Sequence, residues 1–146
     1  MLTRNPIRFV IAFLLLAASF NTGAASEKMT AVKAVDSVGM TVSDMDSSVD
    51  FYSKVLSFEK ISDTEVWGSE YENLKGVFGV RMRVVRMRLG DEVIELTDYL
   101  TPEGRPYPQG TRSNDGWFQH IAIVVSDMDK AFELLRKNKV TFASTA

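Results

Sequence analysis

Read for the spacing of its apolar positions, the chain carries one pattern twice. Val38 to Val42 is an apolar, β-branched stretch, and after an Asp-Met-Asp step Met45, Val49, Tyr52 and Val55–Leu56 recur at helical intervals. At an offset of 83 residues, Ile121 to Val125 is followed by the same step and by Met128, Phe132 and Leu135. VSDMD is identical at 42–46 and 125–129. Each copy predicts a buried strand and then an amphipathic helix. Asp44, Asp46, Asp127 and Asp129 fall at the helix starts, where a carboxylate accepts from free backbone N–H groups and meets the positive end of the dipole. Paired carboxylates also suit acid–base chemistry, but their recurrence at both helix starts favours capping. A repeat of this length predicts one supersecondary unit duplicated around a shared core.

The residues between the copies complete the first unit. Phe58 to Asp63 predicts a second strand, with Trp67 and Tyr71 in a following loop or short helix and a turn flanked by Gly76 and Gly79. Val80 to Leu89 alternates, and Gly90-Asp91 leads into the strand-like run from Val93, which reads as a hairpin. A two-residue connection pairs Leu89 with Glu92 and sets Arg86 opposite Glu95 on one sheet face. The first unit, residues 33–100, is therefore strand–helix–strand–strand–strand. Residues 101–116 hold three of the four prolines and three of the nine glycines, and form a connection rather than a helix or central strand. Long connections are often functional, so Arg105, Arg112, Ser113, Asn114 and Asp115 are candidates for ligand contact beside the plainer reading of a solvated linker. The second unit begins at 117, and the sequence reaches Ala146 in or just after its second strand.

At the N-terminus, Arg4 and Arg8 precede a 12-residue apolar run from Phe9 to Phe20, and small residues follow to Ser26. This is the three-part form of a secretory signal over residues 1–25; a membrane span needs about 20 apolar residues. Cleavage after Ala25 leaves 121 residues, enough for one domain, with periplasmic or secreted placement and no stable membrane anchor. The chain has 17 Lys plus Arg against 19 Asp plus Glu, and losing the two leader arginines takes its net charge from −2 to −4. Such a balance argues against a nucleic-acid partner. The lack of cysteine removes disulfides, thiol nucleophiles and Cys–zinc sites. There is no G-x-S-x-G, P-loop, G-x-G-x-x-G or H-E-x-x-H, and the single histidine is His120.

The pattern VGMTVSDMDSSVDFYSKVLSFE, the later ELTDY and the closing FQHIAIVVSDMDKAFELL together resemble the vicinal oxygen chelate superfamily. Its members include glyoxalase I, bleomycin-resistance proteins and extradiol dioxygenases. The resemblance runs from about Val35 to the C-terminus. It implies an α+β fold of paired βαβββ modules that cup a divalent metal, with His and Glu ligands on the first and last strands of each module. Such a metal works as a Lewis acid on a small, vicinally oxygenated substrate, in a lyase, isomerase or dioxygenase. Placed on this sequence, the metal positions are Glu95 and His120; Ser37 stands where catalytic members commonly carry His. Arg86, Arg112 and Ser37 are the positions expected to meet the substrate.

A hydroxyl is a weaker donor to a transition metal than imidazole, and two strong protein ligands seldom hold such an ion. The expected cofactor is therefore one divalent ion of unknown identity, or none in this chain. A second module cut short leaves strand edges and apolar surface open, which implies an early end to the sequence, a marginal fold, or a homodimer supplying the missing strands. Two function classes follow: a metal-dependent enzyme, or a non-catalytic protein that holds a small ligand in the same cup. Glu95 with His120 favours the first, and Ser37 favours the second.

Overall fold

The structure is a computed structural model that describes residues 31–143. The chain divides into residues 1–33 and 34–146, and the fold is that of the second unit. The signal segment predicted at 1–25 lies outside the described residues. Among the described residues, no helix is long and apolar enough to cross a membrane.

The elements follow one another as β1 (Val38–Val42), α1 (Met45–Asp50, continued by a π-helical turn over Phe51–Val55), β2 (Glu59–Trp67), α2 (Ser69–Lys75), β3 (Arg81–Leu89), β4 (Glu92–Thr101) and α3 (Met128–Lys137). The four strands form one sheet in the order β1-β4-β3-β2. β1 runs parallel to β4, and the other two pairings are antiparallel. The first unit is thus the strand–helix–strand–strand–strand motif, with α2 inserted after β2.

Local chemistry accounts for the element ends. The Asp44 carboxylate accepts from the Ser47 N–H at 2.9 Å, and Asp127 accepts from the Lys130 N–H at 3.0 Å, so each caps its helix. These bonds hold both carboxyls below the usual carboxylate range. Asp46 and Asp129 lie in the first turns rather than at the caps. The hairpin between β3 and β4 pairs Leu89 with Glu92 and Arg86 with Glu95. Gly90 has φ +62° while Asp91 stays outside the left-handed region, the pattern of a type II′ turn, for which glycine belongs in the first position.

The core lies between α1 and one face of the sheet. Met45, Phe58, Val85, Met87, Ile94 and Leu96 are its buried members, with Met40, Val42, Val49, Tyr52 and Leu56 packed against them. The Tyr52 and Phe58 rings meet edge to face at 5.3 Å. At about 25 cal/mol per Å², each fully buried Leu or Met side chain contributes about 2 kcal/mol, before any cavity left by its removal.

Two predicted strands differ from expectation. β1 is not buried: among the described residues it has a ladder partner on one side only, and Val38 is exposed. Ile121 to Val125 forms no strand ladder. Ile121 and Ile123 pack against the core while Ala122 and Val124 face outward, so the alternation is that of a half-covered extended segment. The buried strand expected here is not formed, because burial requires a neighbouring strand, which this segment lacks among the described residues.

Candidate functional site

The face of the sheet away from α1 carries the candidate site. Val85, Met87, Ile94 and Leu96 point into the core, so their alternating neighbours Val84, Arg86, Glu95 and Thr97 point the other way. The register then forms a transverse row across all four strands. Gly39 pairs with Glu95, Glu95 with Arg86, and Arg86 with Ser62. One step along lies a second row: Thr41, Thr97, Val84 and Thr64. Gly39 leaves open space on this face, since a Cβ there would have no neighbour within 4 Å.

α2 closes one side of this surface and produces a depression of about 280 Å³. Ser62, Thr64, Tyr71, Lys75, Arg86 and Glu95 supply its polar lining, and Val66, Leu74, Met82 and Val84 its apolar wall. Gly76, at φ +66°, ends α2 in the left-handed conformation that a C-terminal cap needs. Glu72, on the same helix, accepts from the Gly79 N–H at 3.1 Å and holds the return into β3.

Arg86 and Glu95 thus share the cup, as the hairpin register requires, without an ion pair between them. The Arg86 guanidinium reaches across β4 and donates from Nη2 to Asp36 at 2.7 Å, just ahead of β1. Its Nε is buried and has no hydrogen-bond partner. A guanidinium N–H shut away from water without an acceptor is costly.

The other expected positions stand apart from the depression. Ser37 precedes β1 and does not line it; nor do Arg112 and His120. His120 is exposed. The Arg112 backbone is tied into a turn, its N–H donating to the Asp115 carboxylate at 2.7 Å. Ser62, Thr64, Tyr71 and Lys75 are cup residues that the sequence reading missed. Once Arg86 was assigned to the cup, the β2–β3 register alone would have identified Ser62 and Thr64.

The divalent metal that superfamily members often use does not fit these residues. Among the described residues, no three His, Cys, Asp or Glu side chains gather closely enough to hold an ion. Glu95 is the one carboxylate lining the cup, and the fixed cation of Arg86 stands beside it in the row.

A cup formed on one face of a four-stranded βαβββ sheet is the architecture of a glyoxalase-type module. The comparisons agree: residues 34–146 match the Glyoxalase/Bleomycin resistance protein/Dioxygenase superfamily, and the chain belongs to it. It is 33% identical over 108 residues to a 2-epi-5-epi-valiolone epimerase from Actinomyces sp., covering 70% of this chain and 57% of that protein. The chain therefore spans little more than half of that relative's length. A glyoxalase family protein from Bacillus cereus shares the fold at a TM-score of 0.67 with 21% identity, over 75% of this chain and 76% of that one. An integron cassette protein of V. cholerae aligns at a TM-score of 0.47 with 22% identity, over 78% of this chain and 73% of that one.

Proposed function

We propose that this chain contributes the substrate-holding module of a glyoxalase-superfamily isomerase or epimerase acting on a small hydroxy-ketone. The observation that carries the reading is the transverse row Glu95–Arg86–Ser62 at the floor of a hydroxyl-lined cup, which Gly39 continues on β1. Ser62, Thr64 and Tyr71 supply donors and acceptors for substrate hydroxyls, and the Arg86 guanidinium holds an oxygen of the ligand. Glu95 is the carboxylate within the cup able to take a proton from the carbon beside a carbonyl, leaving an enolate; a proton delivered from solvent to the opposite face, with Glu95 passing its own proton to water, completes the inversion an epimerase makes. The similarity to an epimerase supports this reaction class over ring cleavage.

The duplicated sequence supports a second module starting at 117, and the leader pattern supports periplasmic or secreted placement. A second reading, ligand holding without catalysis, is favoured by Ser37 at a position where catalytic members commonly carry His and by His120 lying away from the cup. Proton exchange separates the two. The chain, incubated with fructose in D2O, is expected to wash deuterium into the carbon beside the ketone, as read by NMR, and Glu95→Gln is expected to lose the exchange at least tenfold (~10-fold). Saturable fructose binding with no exchange would leave ligand holding as the function.

A further inference from the structure

We infer that the cup is built for an anionic ligand, with Arg86 as the receptor for its acidic group; this deepens the hydroxy-ketone reading above and rests on it for the rest of the ligand. Three observations converge. Arg86 stands at the centre of the row, between Ser62 and Glu95, on the floor of the depression. Its Nη2 donates to Asp36, which orients the guanidinium from one end and leaves its other N–H groups without a protein acceptor, and the side chain, 34% exposed, stays reachable from the depression it lines. Lys75 lines the same depression from α2, giving it two cations against the single carboxylate of Glu95.

A planar guanidinium with a free N–H is suited to a carboxylate or phosphate oxygen, and that charge-assisted bond is stronger than one to a neutral hydroxyl. The same fixed positive charge disfavours a divalent cation at Glu95. The structure therefore assigns to this cup a phosphorylated or carboxylated hydroxy-ketone in place of a metal-chelated one. Asp36, largely exposed in solvent, is the anchor that orients Arg86 and not a part of the ligand's own contacts.

The test is calorimetric titration of the full chain with fructose, fructose 6-phosphate and inorganic phosphate, and with Mn²⁺ alone. Fructose 6-phosphate is expected to bind about tenfold or more tighter than fructose, and phosphate to compete with it. Arg86→Gln is expected to erase that preference, and Asp36→Asn, which removes the anchor but keeps the cation, to retain most of it. If Arg86 serves only to pair with Asp36, the two variants behave alike, and the inference is overturned. It is overturned equally by matched affinity for the two sugars, by no saturable binding of either phosphate-bearing probe, or by stoichiometric Mn²⁺ binding that Glu95→Gln abolishes. Phosphate bound through Arg86 with neither sugar bound would instead uphold the anion site and remove the hydroxy-ketone reading.

Discussion

Arg83 shows how much of this fold hangs on single charged side chains reaching across sequence. Its guanidinium donates to Asp63 on the neighbouring strand at 2.9 and 3.0 Å and to Asp46 in the first turn of α1 at 2.7 Å. It therefore ties the helix start to β2 and β3. Arg83 holds the Asp63 carboxyl far below the usual carboxylate range, with Lys60 adding a weaker contribution, while Asp63 and then Asp46 raise the Arg83 pKa in turn. A carboxyl whose folded pKa lies below its unfolded one stabilises the fold above the unfolded value, and that stability is lost as pH falls through the folded value. Asp63→Asn is expected to cost about 1 kcal/mol at neutral pH, and its deficit against the parent should shrink below about pH 4. Urea unfolding of both proteins at a neutral and an acid pH measures this; a deficit that stays constant with pH would show that the Asp63 charge is not its source. The caps at Asp44 and Asp127 were legible in the sequence because a cap is a contact across three residues. The Arg83 partners lie 20 and 37 residues away, and no local pattern points to them.

At the scale of elements, the hairpin was legible and the strand environments were not. A two-residue Gly-Asp connection fixes both the turn and the register, and so the Arg86–Glu95 row followed from counting. Burial depends on neighbours the sequence does not name, as the two repeat copies show. Met45 and Met128 are equivalent in the repeat, yet Met45 is 2% exposed against the sheet while Met128 is 72% exposed. Met45→Ala is therefore expected to destabilise by about 2–5 kcal/mol, and Met128→Ala by about 0.5 kcal/mol or less, in denaturant titrations of the same chain. Equal costs would show that the α3 face is covered in solution. Gly39 offers a matching test of the cup. It adopts no left-handed φ and has open space above it, so Gly39→Leu should fold with little change in Tm while filling the row and weakening ligand binding about tenfold or more. A Gly39→Leu chain that binds as well as its parent would confine the ligand to the β2–β4 side of the row, clear of β1.

The whole molecule presents a second, apolar concavity that chemistry at the cup does not explain. It measures about 650 Å³ and runs between the end of the α1 segment, the turn of the hairpin and α3, with Leu56, Leu89, Ile123, Met128, Phe132 and Leu135 among its lining residues. In the first unit, the residues equivalent to Met128, Phe132 and Leu135 are Met45, Val49 and Tyr52, which β3 and β4 cover. The repeat therefore designs the α3 face for burial, and an apolar surface of this kind is a contact surface. Glyoxalase-fold proteins often form dimers, and a second copy that seated its own exposed α3 side chains in this groove would cover it. Association through the groove is expected to rise with protein concentration. Val124, 98% exposed at its rim, makes no contact a substitution would break within one chain. Val124→Lys together with Met128→Lys should therefore shift the chain toward monomer in sedimentation equilibrium and leave fructose 6-phosphate binding at the cup intact, because the two concavities share no lining residue. A parent chain that stays monomeric at high concentration would remove the second copy as occupant. Loss of cup binding in the double variant would show that association and ligand holding are coupled through the sheet they flank.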